Sequence, residues 1–81
     1  MAFPNFIDIW RRLPLSHVDL VDQIVAATSL AHSPHTSPLD CPWNHCTDRY
    51  SRACRVAWRV AFRIERERCR AQLAAEMRKA A

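Results

Sequence analysis

Apolar residues recur at helical spacing in three stretches of this chain. Phe6, Ile9, Trp10 and Leu13 do so behind Pro4, which suits a first helical turn, and Pro14 closes the segment. Ser16 then stands where a helix N-cap is needed, with Asp19 placed to favour the positive end of the helix dipole. Val18, Leu20, Val21, Ile24, Val25, Ala27, Thr28 and Ala31 fill one half of this second segment, and Asp19, Asp22 and Gln23 lie opposite. Periodicity is lost over residues 33–47, SPHTSPLDCPWNHCT, which hold three of the five prolines and read as a loop. Thr47 or Asp48 caps a third, proline-free segment that runs to the end of the chain. It allows a helix of about 30 residues, or ~45 Å.

The expected fold is all-α. Residues 1–81 form one small domain, with two short helices within 1–32, a Pro/Cys/His-rich loop at 33–47 and one long basic helix over 48–80. The short helices pack on the first half of the long one. A chain of 81 residues buries a thin core, and a metal or a second copy would help hold it.

Composition narrows the chemistry. Glycine is absent where average usage puts about six in a chain of this length. Phosphate-cradling glycine loops and dinucleotide fingerprints are thereby excluded. Basic residues are eleven Arg against one Lys, and the net charge is +4. That charge is uneven: residues 1–40 balance to −2 and residues 41–81 to +6. A polyanionic partner is therefore expected on the C-terminal half.

The third segment arranges that charge. Arg52, Arg55, Arg59, Arg63, Arg66 and Arg70 fall within an arc of about 80° and along ~27 Å of helix. Across the helix lie Cys54, Ala57, Trp58, Val60, Ala61, Phe62 and Ile64. A solvated face gains from mixed signs, whereas the stripe carries no acid up to Arg63. These six arginines are the candidate binding residues, with nucleic acid backbone as the first expected partner. The alternative is an acidic surface of a host protein complex, bound by an inhibitor or adaptor of the kind that phages and mobile elements of high-GC bacteria encode. Few side chains on this face suit base edges, so recognition through phosphates is expected. Further along, Glu65, Glu67 and Glu76 can pair with Arg68, Arg70 and Lys79. Cys69, Leu73 and Met77 extend an apolar line that suits a homodimer through the C-terminal helix.

Soft ligands gather in and before the loop. His32, His35, Cys41 and Cys46 form an H-x2-H-x5-C-x4-C series suited to one structural zinc ion, and three prolines restrict the loop that carries them. Cys54 falls on the apolar arc and is expected in the core. His45 and Cys46 are sequence neighbours, a relation that seldom gives nucleophile–base geometry, and no catalytic residue is assigned; a non-enzymatic protein is expected. No apolar run reaches the ~20 residues of a membrane span, and no basic stretch leads into a hydrophobic one. The cytoplasm is the expected compartment, and its reducing conditions favour thiols over disulfides.

Overall fold

A computed structural model describes residues 6–80, and the expected role of Pro4 lies outside the described residues. The chain is all-helical: α1 (Phe6–Arg12), α2 (His17–Ala31), a 3-10 turn (Pro38–Asp40) and α3 (Arg49–Ala80). At 32 residues α3 is ~48 Å long, and it sets the longest of the three dimensions, 49 × 29 × 20 Å. The short N-terminal helices pack against α3, chiefly through α2.

Local chemistry explains the boundaries. Ser16 Oγ accepts the Asp19 N–H at 3.1 Å and caps α2 as expected. Asp48, rather than Thr47, does this for α3, its Oδ2 accepting the Ser51 N–H at 3.0 Å. In the 3-10 turn, Ser37 Oγ takes the Leu39 N–H while its own N–H reaches Asp40 Oδ2 at 2.7 Å, a reciprocal box around one turn.

The Asp48 cap carries a pH signature. Bonding from the Ser51 backbone and then its side chain, with Arg52 nearby, holds the Asp48 carboxyl below its ordinary value. A lowered folded-state pKa contributes stability above the unfolded value, and that contribution is lost as pH falls through the folded value. The thermal midpoint should therefore be level from pH 7 to about 5 and fall below about pH 4. Asp48→Asn keeps a competent cap but cannot titrate, so its melting curves should lose part of that acid sensitivity. Equal acid sensitivity in both proteins would refute the assignment.

The core is built on alanine. Ala27 and Ala31 from α2 pack with Cys41, Trp58, Ala61 and Phe62 in one cluster, and Trp10, Ile24 and Trp43 close its margins. Ala53, Ala57 and Ala61 recur every four residues on α3 and are all buried, which lets backbones approach closely in a chain without glycine. Trp58 and Phe62 stack with ring centroids 5.1 Å apart. Trp43 belongs to this core, its indole N–H donating to Gln23 Oε1 at 2.8 Å and so docking the loop on α2.

The buried strip of α2 is narrower than its apolar half. Ala27 and Ala31 are buried, with Leu20, Ile24 and Thr28 half-buried beside them, while Val18 and Val25 remain 68% and 58% exposed. The cause is geometric: α3 covers α2 from one side, and Gln23 is drawn toward that side by Trp43. The far end of α3 extends past α2, leaving Leu73 and Met77 exposed.

Candidate functional site

Of the nine arginines of α3, the six of the stripe differ in their position round the helix. On an ideal helix Arg52, Arg63 and Arg70 lie within about 20° of one another, whereas Arg55 and Arg66 sit about 40–60° round, toward the buried arc. That margin is where the loop lies against α3. Arg55 Nη1 donates to the Asn44 carbonyl at 3.4 Å, and Arg59 Nη2 donates to Asn44 Oδ1. Asn44 is itself held by its amide, which donates to Leu39 O at 2.8 Å and Pro38 O at 3.4 Å. Arg55, half-buried, and Arg59, which stays exposed, thus fasten the loop to α3.

Arg66 is drawn in furthest. Its Nε donates to Ala31 O at 3.0 Å, and Nη2 donates to Ser33 O and Thr36 O, each at 2.9 Å, and to Thr36 Oγ1 at 2.8 Å. The guanidinium lies over the Phe62 ring, 4.8 Å from its centroid. Every helix leaves its last carbonyls without intrahelical partners, and glycine in a left-handed conformation commonly ends the helix so that following N–H groups can reach them. This chain has no glycine, and no described residue has positive φ. His32 ends α2 in a right-handed conformation; the Ser33 N–H and the Thr36 hydroxyl meet Leu30 O, and Ala31 O is met by a cation from another helix. A positive charge at that end also suits the dipole.

What remains as ridge is a line of exposed arginines. Arg52, Arg59, Arg63 and Arg70 are all exposed, and Arg52, Arg63 and Arg70 form no ion pair among the described residues. A depression of about 330 Å³ runs beside Arg63 and Arg70, with Thr36, Ser37 and Pro38 as its other wall. Of the three acid–base pairs expected within α3, Glu65–Arg68 is formed, Arg68 reaching Glu65 Oε1 through Nε at 2.8 Å and also through Nη2. That bond lowers the Glu65 carboxyl pKa first, with smaller contributions from Arg68 and His32 charge and from Cys69.

The cysteines and histidines are placed differently from the loop series. Cys41 is buried in the core cluster, where desolvation raises its thiol above the ordinary value against the lowering pull of the Trp43 backbone and of Arg59 and Arg55. Among the described residues Cys41 joins no group of three metal-ligating side chains. His35 is exposed and Cys46 half-buried, and among the described residues neither joins His32 in a group of three ligands. His32 instead meets Glu65 and Cys69 of α3: Nδ1 is 3.8 Å from Cys69 Sγ, and Nε2 is 3.6 Å from Glu65 Oε1. The i, i+4 spacing of Glu65 and Cys69 is visible in the sequence; the pairing with a histidine more than thirty residues away is not. Cys54 is fully buried, as expected of a core residue.

All four cysteines are free thiols. No helix among the described residues is long and apolar enough to cross a membrane. No family model, curated protein or solved structure gives a significant match to the chain.

Proposed function

We infer that this chain is a small non-enzymatic regulatory binding protein of the cytoplasm that grips nucleic acid backbone along α3. The observation that carries the reading is the exposed line of Arg52, Arg59, Arg63 and Arg70, which extends over ~27 Å of one helix face. Guanidinium groups pair well with phosphate oxygens, and the Ser37 hydroxyl beside Arg63 and Arg70 adds a donor for the same chemistry. The contacts are to phosphates, so binding is insensitive to sequence and sensitive to salt.

Arg52, Arg63 and Arg70 make no hydrogen bond or ion pair among the described residues, so changing all three to Ala leaves the fold intact. The triple variant should bind duplexes of unrelated sequence more weakly by similar factors. Its slope of log affinity against log salt should flatten by about 0.9 for each phosphate that is no longer neutralised, or about 2.7 if all three arginines contribute. Wild type and variant behaving alike at low salt toward duplex and single strands would overturn the reading.

One observation favours an acidic protein surface instead. An apolar depression formed by Leu13, Pro14, Ala53 and Val56 lies at the start of the ridge, with Arg49 and Arg52 on its rim. An inhibitor or adaptor would seat a hydrophobic anchor there and set Arg52 against carboxylates. Its signature is uneven: Arg52 and Val56 would dominate the loss of affinity, with Arg70 nearly silent.

A further inference from the structure

We propose that His32, Glu65 and Cys69 form a binding site for one zinc-class divalent metal ion, joining the end of α2 to the middle of α3. The three side chains supply one nitrogen, one oxygen and one sulfur, a borderline-soft set suited to zinc. Tetrahedral zinc, with bonds of about 2.0–2.3 Å, separates such ligand atoms by about 3.3–3.6 Å. The observed separations are 3.6 Å from His32 Nε2 to Glu65 Oε1, 3.8 Å from His32 Nδ1 to Cys69 Sγ and 3.8 Å from Cys69 Sγ to Glu65 Oε1. These separations involve both His32 ring nitrogens; with one nitrogen per ligand the three atoms lie within 4.8 Å of one another, wider than one face of the tetrahedron, so the site closes by about 1 Å on binding.

A metal takes only one of the two imidazole nitrogens. His32 has room to turn that nitrogen inward, since its side chain is 55% exposed and the three ligand atoms already lie within 4.8 Å of one another. Arg68 meets Glu65 at Oε1. On metal binding the arginine moves to the second carboxylate oxygen and holds it, as outer partners of metal-ligating carboxylates do. The fourth position opens toward a depression of about 230 Å³ that His32 and Cys69 line with Arg66 and Arg70, leaving space for water or an anion. Binding releases the Cys69 proton to solvent, and thiolate and carboxylate together neutralise the ion.

Location gives the site a structural consequence. Glu65 and Cys69 continue the buried side of α3 one to two turns past Phe62, the last fully buried residue, and His32 is the first residue beyond α2. The ion would pin the two helices where the hydrophobic core runs out, adding folding energy that an 81-residue chain lacks.

The test uses the full chain, stripped with chelator under reductant and titrated with cobalt(II). Wild type should bind one cobalt per chain with a near-ultraviolet thiolate-to-cobalt charge-transfer band, bleached by one equivalent of zinc. Cys69→Ser should abolish the band while keeping the helical circular dichroism spectrum, and Glu65→Gln should weaken binding at least about 100-fold. Cys46→Ser should leave the titration unchanged, and zinc should raise the melting midpoint of wild type but not of Cys69→Ser. Absence of a charge-transfer band in wild type, its survival in Cys69→Ser or its loss in Cys46→Ser would each overturn the proposal.

Discussion

Trp58→Ala is expected to unfold most of the population at room temperature. The side chain is completely buried at the centre of the α2–α3 contact, stacked on Phe62 and packed with Ala27, Ala31, Cys41 and Ala61. Removing a fully buried aromatic costs about 3–5 kcal/mol, because lost transfer energy adds to the cavity left behind. A domain of this length has a total stability of about 4–12 kcal/mol, and one with so few large buried side chains belongs at the low end. Alanine neighbours cannot collapse into the space, since they carry no rotatable side chain.

Trp58→Phe separates packing from polarity at the same position. The Trp58 indole N–H is buried without a hydrogen-bond partner among the described residues. A buried donor left unpaired costs about 1–3 kcal/mol, so phenylalanine relieves that penalty while sacrificing some volume. Its net loss of stability should be less than half that of alanine. Urea unfolding followed by circular dichroism measures both. An alanine variant with an unshifted midpoint would show that α2 and α3 are not held by this cluster.

The same residues show what can be read from the chain alone. Ser16 and Pro14 mark the start of α2, and Cys54, Trp58 and Phe62 mark the buried side of α3, because caps and periodicity act within a few residues. The register between helices acts over longer distances and leaves no local trace. Val18 and Val25 belong to the apolar half of α2, yet the single helix that covers α2 meets the Ala27–Ala31 strip and stops there. Cys41 resembles a ligand because of its spacing from His35 and Cys46. The 3-10 turn before it and Trp43 after it fold the loop so that this thiol enters the core. His32, Glu65 and Cys69 come together only because α2 ends where it crosses α3.

The arginine stripe carries the same lesson in charge. Six guanidinium groups on one arc look equivalent, and the arc itself is legible from spacing. What separates them is which side of the arc the loop lies on. Arg55 and Arg66 stand at the edge nearest the buried face, within reach of carbonyls left free by the loop and by a helix end without glycine. Arg52, Arg63 and Arg70 stand further round, and none of them bonds to another described residue. One stripe therefore does two jobs: it caps and fastens at its margin and presents charge at its crest.

Arg66→Lys should expose this division. The guanidinium fork spans Ala31 O through Nε and Ser33 O, Thr36 O and Thr36 Oγ1 through Nη2, with one face on Phe62. An ammonium keeps the positive charge but is a single point, unable to reach both sides of that fork or to stack as a plane. Hydrogen bonds from charged donors contribute about 1.5–3 kcal/mol each, and carbonyls stranded at a half-buried helix end lose part of their solvation as well. Arg66→Ala should cost about 3 kcal/mol, and Arg66→Lys should recover less than half of it. Amide exchange should quicken first in the last turn of α2 and the Ser33–Thr36 segment, because those carbonyls anchor the loop. The proposed nucleic acid binding, measured in Arg66→Ala below its unfolding temperature, should keep the wild-type salt slope, since Arg66 spends its donors inside the fold. An alanine variant with wild-type stability and a flattened salt slope would assign Arg66 to the binding crest instead.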